Sequence, residues 1–542
     1  MPTFTRNNAW NSGDGTFANT DLLWYARAVA VMQAKPILDP TSWWFYAAIH
    51  GELLLPGSEY GTPKPGDTDL RYYNWKNVKY IPPAASIDKV PPTTITDVFW
   101  DQCQHATWFF PPWHRGYLVA IENILRAIII ENGGPPEWAL PYWNYLSQAN
   151  GGRQASIPPA FTVQQLPDGS ANPLFVAERF PEKLKFGLGK DEINDLCQWD
   201  TIYSEGSTSH PSGPGDRSGY YYGGGDDGFS YQDGTEAGDL EDNPHNSIHD
   251  HVGGTNKKNG HGGLMANPPT AALDPIFYLH HANIDRMWAA WNETGKNENT
   301  ADAAWLTGPQ AKGNSRFVMP LDDKGKLWYY SPQDMLTTED LTYNGSTYSY
   351  TYDDLALTSY INTPPTQLRS SLLERFATLN ITGDPKNIKM AKKPKSELVG
   401  ASTKALSLTN EIATSVKLKK SAWKMVSNSL LLASFSSIPD QVFLQLEGVK
   451  GTAIANSLSV YVNDEFVKSV SLFGLLNASL KGGPHGGQGL TFKINITNIV
   501  DNLHLNGGLA IESLRIKLET KNELPKSDEI TVDRIGVYRI TQ

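Results

Sequence analysis

Cysteine is nearly missing from this chain. Two occur in 542 residues, Cys103 and Cys197, which excludes a disulfide-stapled scaffold. A basic excess is missing as well: Lys and Arg number 46 against 57 Asp and Glu, a net charge of −11, so no nucleic-acid partner is expected. No apolar run approaches the length of a membrane span, and no membrane partner is expected either. The opening Met-Pro-Thr-Phe-Thr-Arg lacks a basic region leading into an apolar core, which reads as no secretory signal and a cytoplasmic location. No internal repeat is visible. What remains is a globular chain long enough for two domains.

Histidine carries the chemistry. In His245-Asn-Ser-Ile-His249 the two imidazoles stand four residues apart, a spacing that puts both on one face of a helix. Asn243-Pro244 predicts the start of that helix, with an N-cap followed by proline at the first position. His281 opens a second amphipathic run, with Ile284, Met287, Trp288 and Trp291 at helical spacing. Upstream, His50 closes the helical run Trp43-Trp-Phe-Tyr-Ala-Ala-Ile-His50, with Gly51 as its cap. His105 and His114 flank Phe109-Phe-Pro-Pro-Trp113, whose prolines prevent one continuous helix from carrying both. A lone histidine on an apolar face is an ordinary core residue. Two trios from separate helical segments instead describe a pair of metal sites in a bundle core. Imidazole ligation by itself leaves copper, zinc and iron open. Carboxylates are expected to orient the ligands' second nitrogens.

Four motifs carry a family resemblance: Cys103-Gln-His105, Phe110-Pro-Pro-Trp-His-Arg-Gly-Tyr-Leu118, Pro244-His-Asn-Ser-Ile-His249 and Asp274-Pro-Ile-Phe-Tyr-Leu-His-His-Ala-Asn-Ile-Asp-Arg286. As an ordered set over the first two thirds of the chain they resemble the type-3 copper proteins: tyrosinases, catechol oxidases and haemocyanins. The resemblance implies two copper ions and O2 as co-substrate, with His50, His105 and His114 on the first copper and His245, His249 and His281 on the second. His280 is then expected beside the metal. A Cys103–Cys197 bond competes with the thioether that many members form between the Cys and His of a Cys-x-His motif, here Cys103 and His105. Glu241 matches a glutamate that holds a water in relatives, and Asn246 an asparagine thought to help activate it. Asp250 would add a polar contact at the pocket mouth. Pro268 falls where some plant relatives place a bulky Phe, which implies a more open entrance.

The implied function is a phenol oxidase acting on small phenolic substrates: a tyrosinase that ortho-hydroxylates monophenols and oxidises o-diphenols to o-quinones. A catechol oxidase or o-aminophenol oxidase shares the ligands without useful hydroxylation. A haemocyanin-like oxygen carrier shares the copper pair, but one copper unit and the lack of a repeat argue against it.

The expected fold class is α+β and multidomain. A mainly α-helical catalytic domain with a central four-helix bundle occupies residues 1–383 and ends near Tyr350-Thr-Tyr352, which resembles the Tyr-x-Tyr signature of plant and fungal relatives. A Lys-rich segment, 384–424, reads as a linker. Residues 425–542 alternate apolar with polar and predict a β-sandwich or jelly-roll. In the related polyphenol oxidases a β-rich C-terminal domain covers the copper site and keeps the enzyme latent. The residue expected to plug the pocket here is Phe473 or Leu475.

Overall fold

The computed structural model describes residues 3–54, 75–148, 152–200, 203–204, 221–225, 237–257, 262–295, 297, 299–308, 317–356, 372–384, 395–480, 487–524 and 529–541. Much of the stretch from Tyr203 to Asp242, whose density of Gly, Ser, Asp and Tyr predicts a long loop, and Lys392-Lys-Pro within the Lys-rich segment lie outside them.

Five helices frame the first domain: α1 (Thr20–Gln33), α2 (Trp43–His50), α3 (Phe110–Glu131), α4 (Ser247–Gly253) and α5 (Ile276–Glu293). α3 is the longest of them, and Pro111 and Pro112 sit in its first turn, where a missing N–H leaves no bond unmade. Its Leu118, Ile121, Leu125 and Ile129 are buried in one aromatic-rich core with Trp43, Trp113, Phe277 and Trp288. α5 is capped from outside. The Asp274 carboxylate accepts from the Ile276 N–H and pairs with Arg179.

The Tyr-x-Tyr segment lies on strand β3 (Ser346–Tyr352), which pairs with β2 (Leu341–Tyr343) and, in parallel, with β1 (Thr3–Arg6). Both tyrosine hydroxyls donate to Asp285 on α5. Asp285 also pairs with Arg6 (3.0 Å) and with Arg115 on α3 (2.6 Å). One buried carboxylate thereby ties the N-terminal strand, both site-bearing long helices and the Tyr-x-Tyr strand together. Burial alone would raise its pKa, but the two guanidiniums hold it below the usual carboxylate range.

The second domain is one nine-stranded sheet. Its strands are β4 (Ser396–Ala401), β5 (Leu406–Leu408), β6 (Glu411–Leu418), β7 (Gln441–Gly451), β8 (Ser457–Val462), β9 (Glu465–Ser471), β10 (Leu490–Asn495), β11 (Ser513–Thr520) and β12 (Ile530–Ile540). The order is β9-β8-β11-β6-β4-β12-β7-β10, with β5 on β12. The two edge strands, β9 and β10, both line the cavity next to the histidines, so the sheet curls round its own apolar core. On β8, Leu458, Val460 and Val462 enter that core at every second residue, as the pleat of a half-buried strand requires.

The linker expectation for 384–424 is corrected. Residues from Ser396 to Leu418 supply three strands, and α7 (Lys420–Leu431) follows directly. Val416 and Leu418 are buried while Lys417 and Lys419 face solvent, so the lysines are the wet side of a strand rather than a tether. Helix α6 (Leu372–Thr378) falls before the expected boundary at residue 383, yet its Arg375 pairs with Asp501 and donates to the Pro439 and Asp440 carbonyls. It packs on the β-domain. Among the described residues no helix is long and apolar enough to cross a membrane.

Candidate metal centre

Two buried clusters meet between the helices: His50, Cys103, His105 and His114, and His245, His249, His280 and His281. His50 is the last residue of α2, His114 lies in the second turn of α3, and His280 and His281 lie in the second turn of α5. His105 comes from the loop before α3 and not from a helix, because the prolines force the chain to turn there. The helix expected to begin at Asn243-Pro244 is likewise corrected. An irregular wide turn spans Glu241–Asn246 with Asn243 in extended geometry, and regular α4 starts at Ser247. Asn243 does not cap; its side chain accepts from the Asn194 N–H and donates to the Glu192 carbonyl, fixing a neighbouring loop.

The clusters touch. The His114 and His281 rings stack with centroids 4.4 Å apart, and His105 lies 5.8 Å from His245. Phe110 and Phe277 wedge between them, Phe110 at 4.5 Å from His114 and 4.6 Å from His245, Phe277 at 4.0 Å from His281 and 4.8 Å from His50.

Four of the second nitrogens are anchored by amide oxygens, not by the expected carboxylates. Nδ1 of His50 donates to the Pro268 carbonyl (3.0 Å), that of His114 to Phe110 (2.8 Å), and that of His249 to Met265 (2.8 Å). Nδ1 of His245 donates to Asn246 Oδ1 (2.9 Å). A carbonyl can only accept, so each of these rings carries its proton on Nδ1 and presents the Nε2 lone pair inward. Burial keeps the imidazoles neutral: His114 and His249 fall to about 3, and His50, His245 and His281 also drop well below the ordinary value.

A metal ion fits this arrangement. Nε2 of His281 lies 3.3 Å from Nε2 of both His245 and His249. Imidazole bonds of about 2.0 Å to a tetrahedral ion place their nitrogens about 3.3 Å apart. His50 Nε2 is buried with no hydrogen-bond partner among the described residues, an orphan that a metal bond would satisfy. His280 stacks on His245 at 5.2 Å, beside the trio. Both cysteines are free, so no disulfide joins Cys103 to Cys197. Cys103 Sγ lies 3.5 and 3.8 Å from the two nitrogens of His105 and 3.3 Å from Nε2 of His114, so the thiol touches both rings.

The other expected residues separate into two groups. Glu241 accepts from the Ala106 N–H through both oxygens (2.8 and 2.9 Å), next to His105, and burial raises its pKa well above the carboxylate range. Glu241, Asn246, Pro268 and Phe473 line one cavity with His105. Phe473 reaches in from the β-domain and stacks on His249, centroids 4.3 Å apart at 24°. Asp250 and Leu475 are corrected. Asp250 is buried away from the mouth, accepting from Ser471 Oγ of the β-domain (2.6 Å), and burial lifts its pKa to about 7. Leu475 fills the β-domain core, because the turn at Gly474 points the side chains on either side of it in opposite directions. Sequence reasoning missed Ser471 and Ala106, whose roles come from a hydroxyl and a backbone N–H that no motif marks.

Residues 40–294 match the family model described as the common central domain of tyrosinase, and residues 395–540 match a domain of unknown function, DUF7868. The chain is 30% identical over 554 residues to tyrosinase HcTyr1 of Hahella sp. (strain CCB-MM4), covering 98% of this chain and 99% of that protein. It is 32% identical over 213 residues to the latent form of a chloroplastic polyphenol oxidase of Prunus armeniaca, covering 37% of this chain and 32% of the other. The structure of latent apple tyrosinase superposes over 100% of this chain and 98% of its own, with a TM-score of 0.54 at 19% identity, a likeness of fold.

Proposed function

The chain belongs to the tyrosinase family of copper-dependent oxidoreductases, and we propose that it ortho-hydroxylates monophenols as well as oxidising o-diphenols to o-quinones, held latent by its β-domain. His50, His105 and His114 would hold one copper, and His245, His249 and His281 the other. When bound, the copper pair supplies the two-electron chemistry with O2.

The remaining steps belong to the protein's own groups. Phe473 occupies the face of His249 that a phenol ring would need, so the ring must leave before substrate enters. A monophenol must then lose its proton. The observation that carries the hydroxylase reading is the placement of Glu241 and Asn246 in one cavity with His105. The raised pKa of Glu241 is the direction a general base working near neutral pH requires. Cys103, against the His105 ring, supports a thioether that would lock this loop-borne ligand in place. Pro268 shapes the entrance and through its carbonyl sets His50.

Copper-loaded full-length protein assayed with tyrosine and with catechol, before and after limited proteolysis between the domains, tests the reading. Both activities should rise on cleavage. Glu241→Gln should lower tyrosine hydroxylation by roughly 10²-fold or more, the usual contribution of a positioned base, and catechol oxidation far less. Catechol turnover without any tyrosine turnover would reduce the protein to a catechol oxidase; neither activity, with two coppers bound, would leave a carrier.

A further inference from the structure

The surface that the β-domain covers is acidic, and the covering domain answers it with lysines. Lys468 on β9 pairs with Asp242 (2.5 Å) and Asp239 (3.5 Å), which flank Glu241 in sequence. Lys521 pairs with Glu182 (2.8 Å) and meets His251 Nε2 at 3.1 Å. Asp191 accepts from Ser457 Oγ and Asp250 from Ser471 Oγ, each at 2.6 Å. One pair runs the other way, Lys190 with Glu519 at 2.7 Å. Among the described residues, carboxylates of the catalytic domain thus dominate its side of these contacts, and Lys190 alone opposes them.

Two features of the cover coincide in one cavity. Phe473 lays an aromatic ring against His249, and Lys468, five residues earlier on the same strand and turn, sets an ammonium on Asp239 and Asp242. Both residues line the cavity that reaches His105. We infer that Asp239 and Asp242 are specificity residues that select phenols carrying an alkylammonium chain, and that the cover holds the site by placing a ring and an ammonium where such a substrate places its own. The inference rests on the phenol-oxidase reading and adds the substrate class. The physical ground is that opening the domain carries the Lys468 ammonium away from both carboxylates beside the entrance, where a second cation restores the pairing and an anionic chain meets repulsion. Discrimination then comes from binding.

The test uses copper-loaded full chain carrying Phe473→Ala and Lys468→Ala, to vacate both the ring and the ammonium positions, with three catechols that differ only in an aminoethyl, a carboxyethyl or a methyl substituent. The aminoethyl compound should exceed the carboxyethyl one in kcat/KM by about 10-fold or more at low salt, mainly through KM, and the ratio should shrink as salt screens the carboxylates. Adding Asp239→Asn and Asp242→Asn should collapse the ratio towards one, whereas Asp242→Glu should retain it. Calorimetric binding of phenylethylammonium and phenylpropionate to the same proteins gives a readout independent of turnover, and the cation should bind about 10-fold tighter only while both aspartates are present. Equal binding of the two ions, or a preference that survives the double Asn change, overturns the inference. Methylcatechol separates the two readings: if it is not oxidised, the oxidase assignment fails, and the binding comparison still decides the role of Asp239 and Asp242.

Discussion

Phe473 and His249 belong to different domains, yet their rings lie 4.3 Å apart and nearly parallel. The contact is fixed by a short relay: Ser471 Oγ donates to Asp250, the residue after His249, and accepts from the Phe473 N–H. The same hydroxyl therefore sets both the depth of the plug and the seating of its domain.

Removing the ring should unmask activity. An aromatic stack is worth about 0.5–1.5 kcal/mol beyond its buried area, so Phe473→Ala in the copper-loaded full chain should raise catechol turnover by roughly 10-fold. Ser471→Ala should raise it less, since the ring stays but its anchor is lost. Oxygen-electrode rates on the two uncleaved variants check this. Rates equal to the unaltered protein would show that the ring does not guard the site.

Cys103 should be joined to His105. The intact mass of copper-loaded protein is expected to be lighter by two hydrogens than the sequence mass, and the missing hydrogens should map to the peptide containing both residues. Cys103→Ala should restore the full sequence mass and weaken copper retention during dialysis against a chelator, because His105 sits on a loop without helical support.

Copper-free protein should be acid-sensitive. His114 and His249 titrate at about 3 in the fold against about 6.5 when unfolded. Between those values the unfolded chain takes up protons that the fold refuses, so stability present above pH about 6.5 is lost as pH falls towards 3. Thermal unfolding of chelator-treated protein should shift to lower temperature from pH about 7.5 to pH about 5, values chosen to straddle the ordinary histidine pKa. A flat profile would mean that the imidazoles are more hydrated than the structure places them.

Asp285→Asn should be severely destabilising. The change leaves Arg6 and Arg115 buried with one charge partner fewer, and breaking a buried ion pair costs about 3–5 kcal/mol. Denaturant unfolding should show the loss, and copper loading should suffer with it because Asp285 lies one helical turn beyond His281. A variant as stable as the parent would count against the four-way tie.

Much of the site was legible because its chemistry is local in sequence. His245 and His249 are spaced for one face, the prolines at 111 and 112 can only open a helix, and the alternation of Leu458, Val460 and Val462 can only be a strand with one buried side. The misread parts are those where local signals compete. Asn243-Pro244 has the form of a helix start, but the Asn243 amide finds Asn194 and Glu192 instead. Lys417 and Lys419 look like a tether until Val416 and Leu418 are seen to face a core.

By itself the sequence determined the two histidine trios and the helical and β-rich halves, since ligand type, spacing and periodicity are properties of short stretches of chain, while the choice of copper over zinc or iron came from the family resemblance that its ordered motifs carry. Only the tertiary structure decided which oxygens hold the imidazoles, that Phe473 rather than Leu475 enters the cavity, and that Lys468 rests on Asp239 and Asp242. The last two are contacts between residues far apart in the chain, set by how one domain's edge strand lies against the other's helices, and no local pattern encodes a distance of that kind.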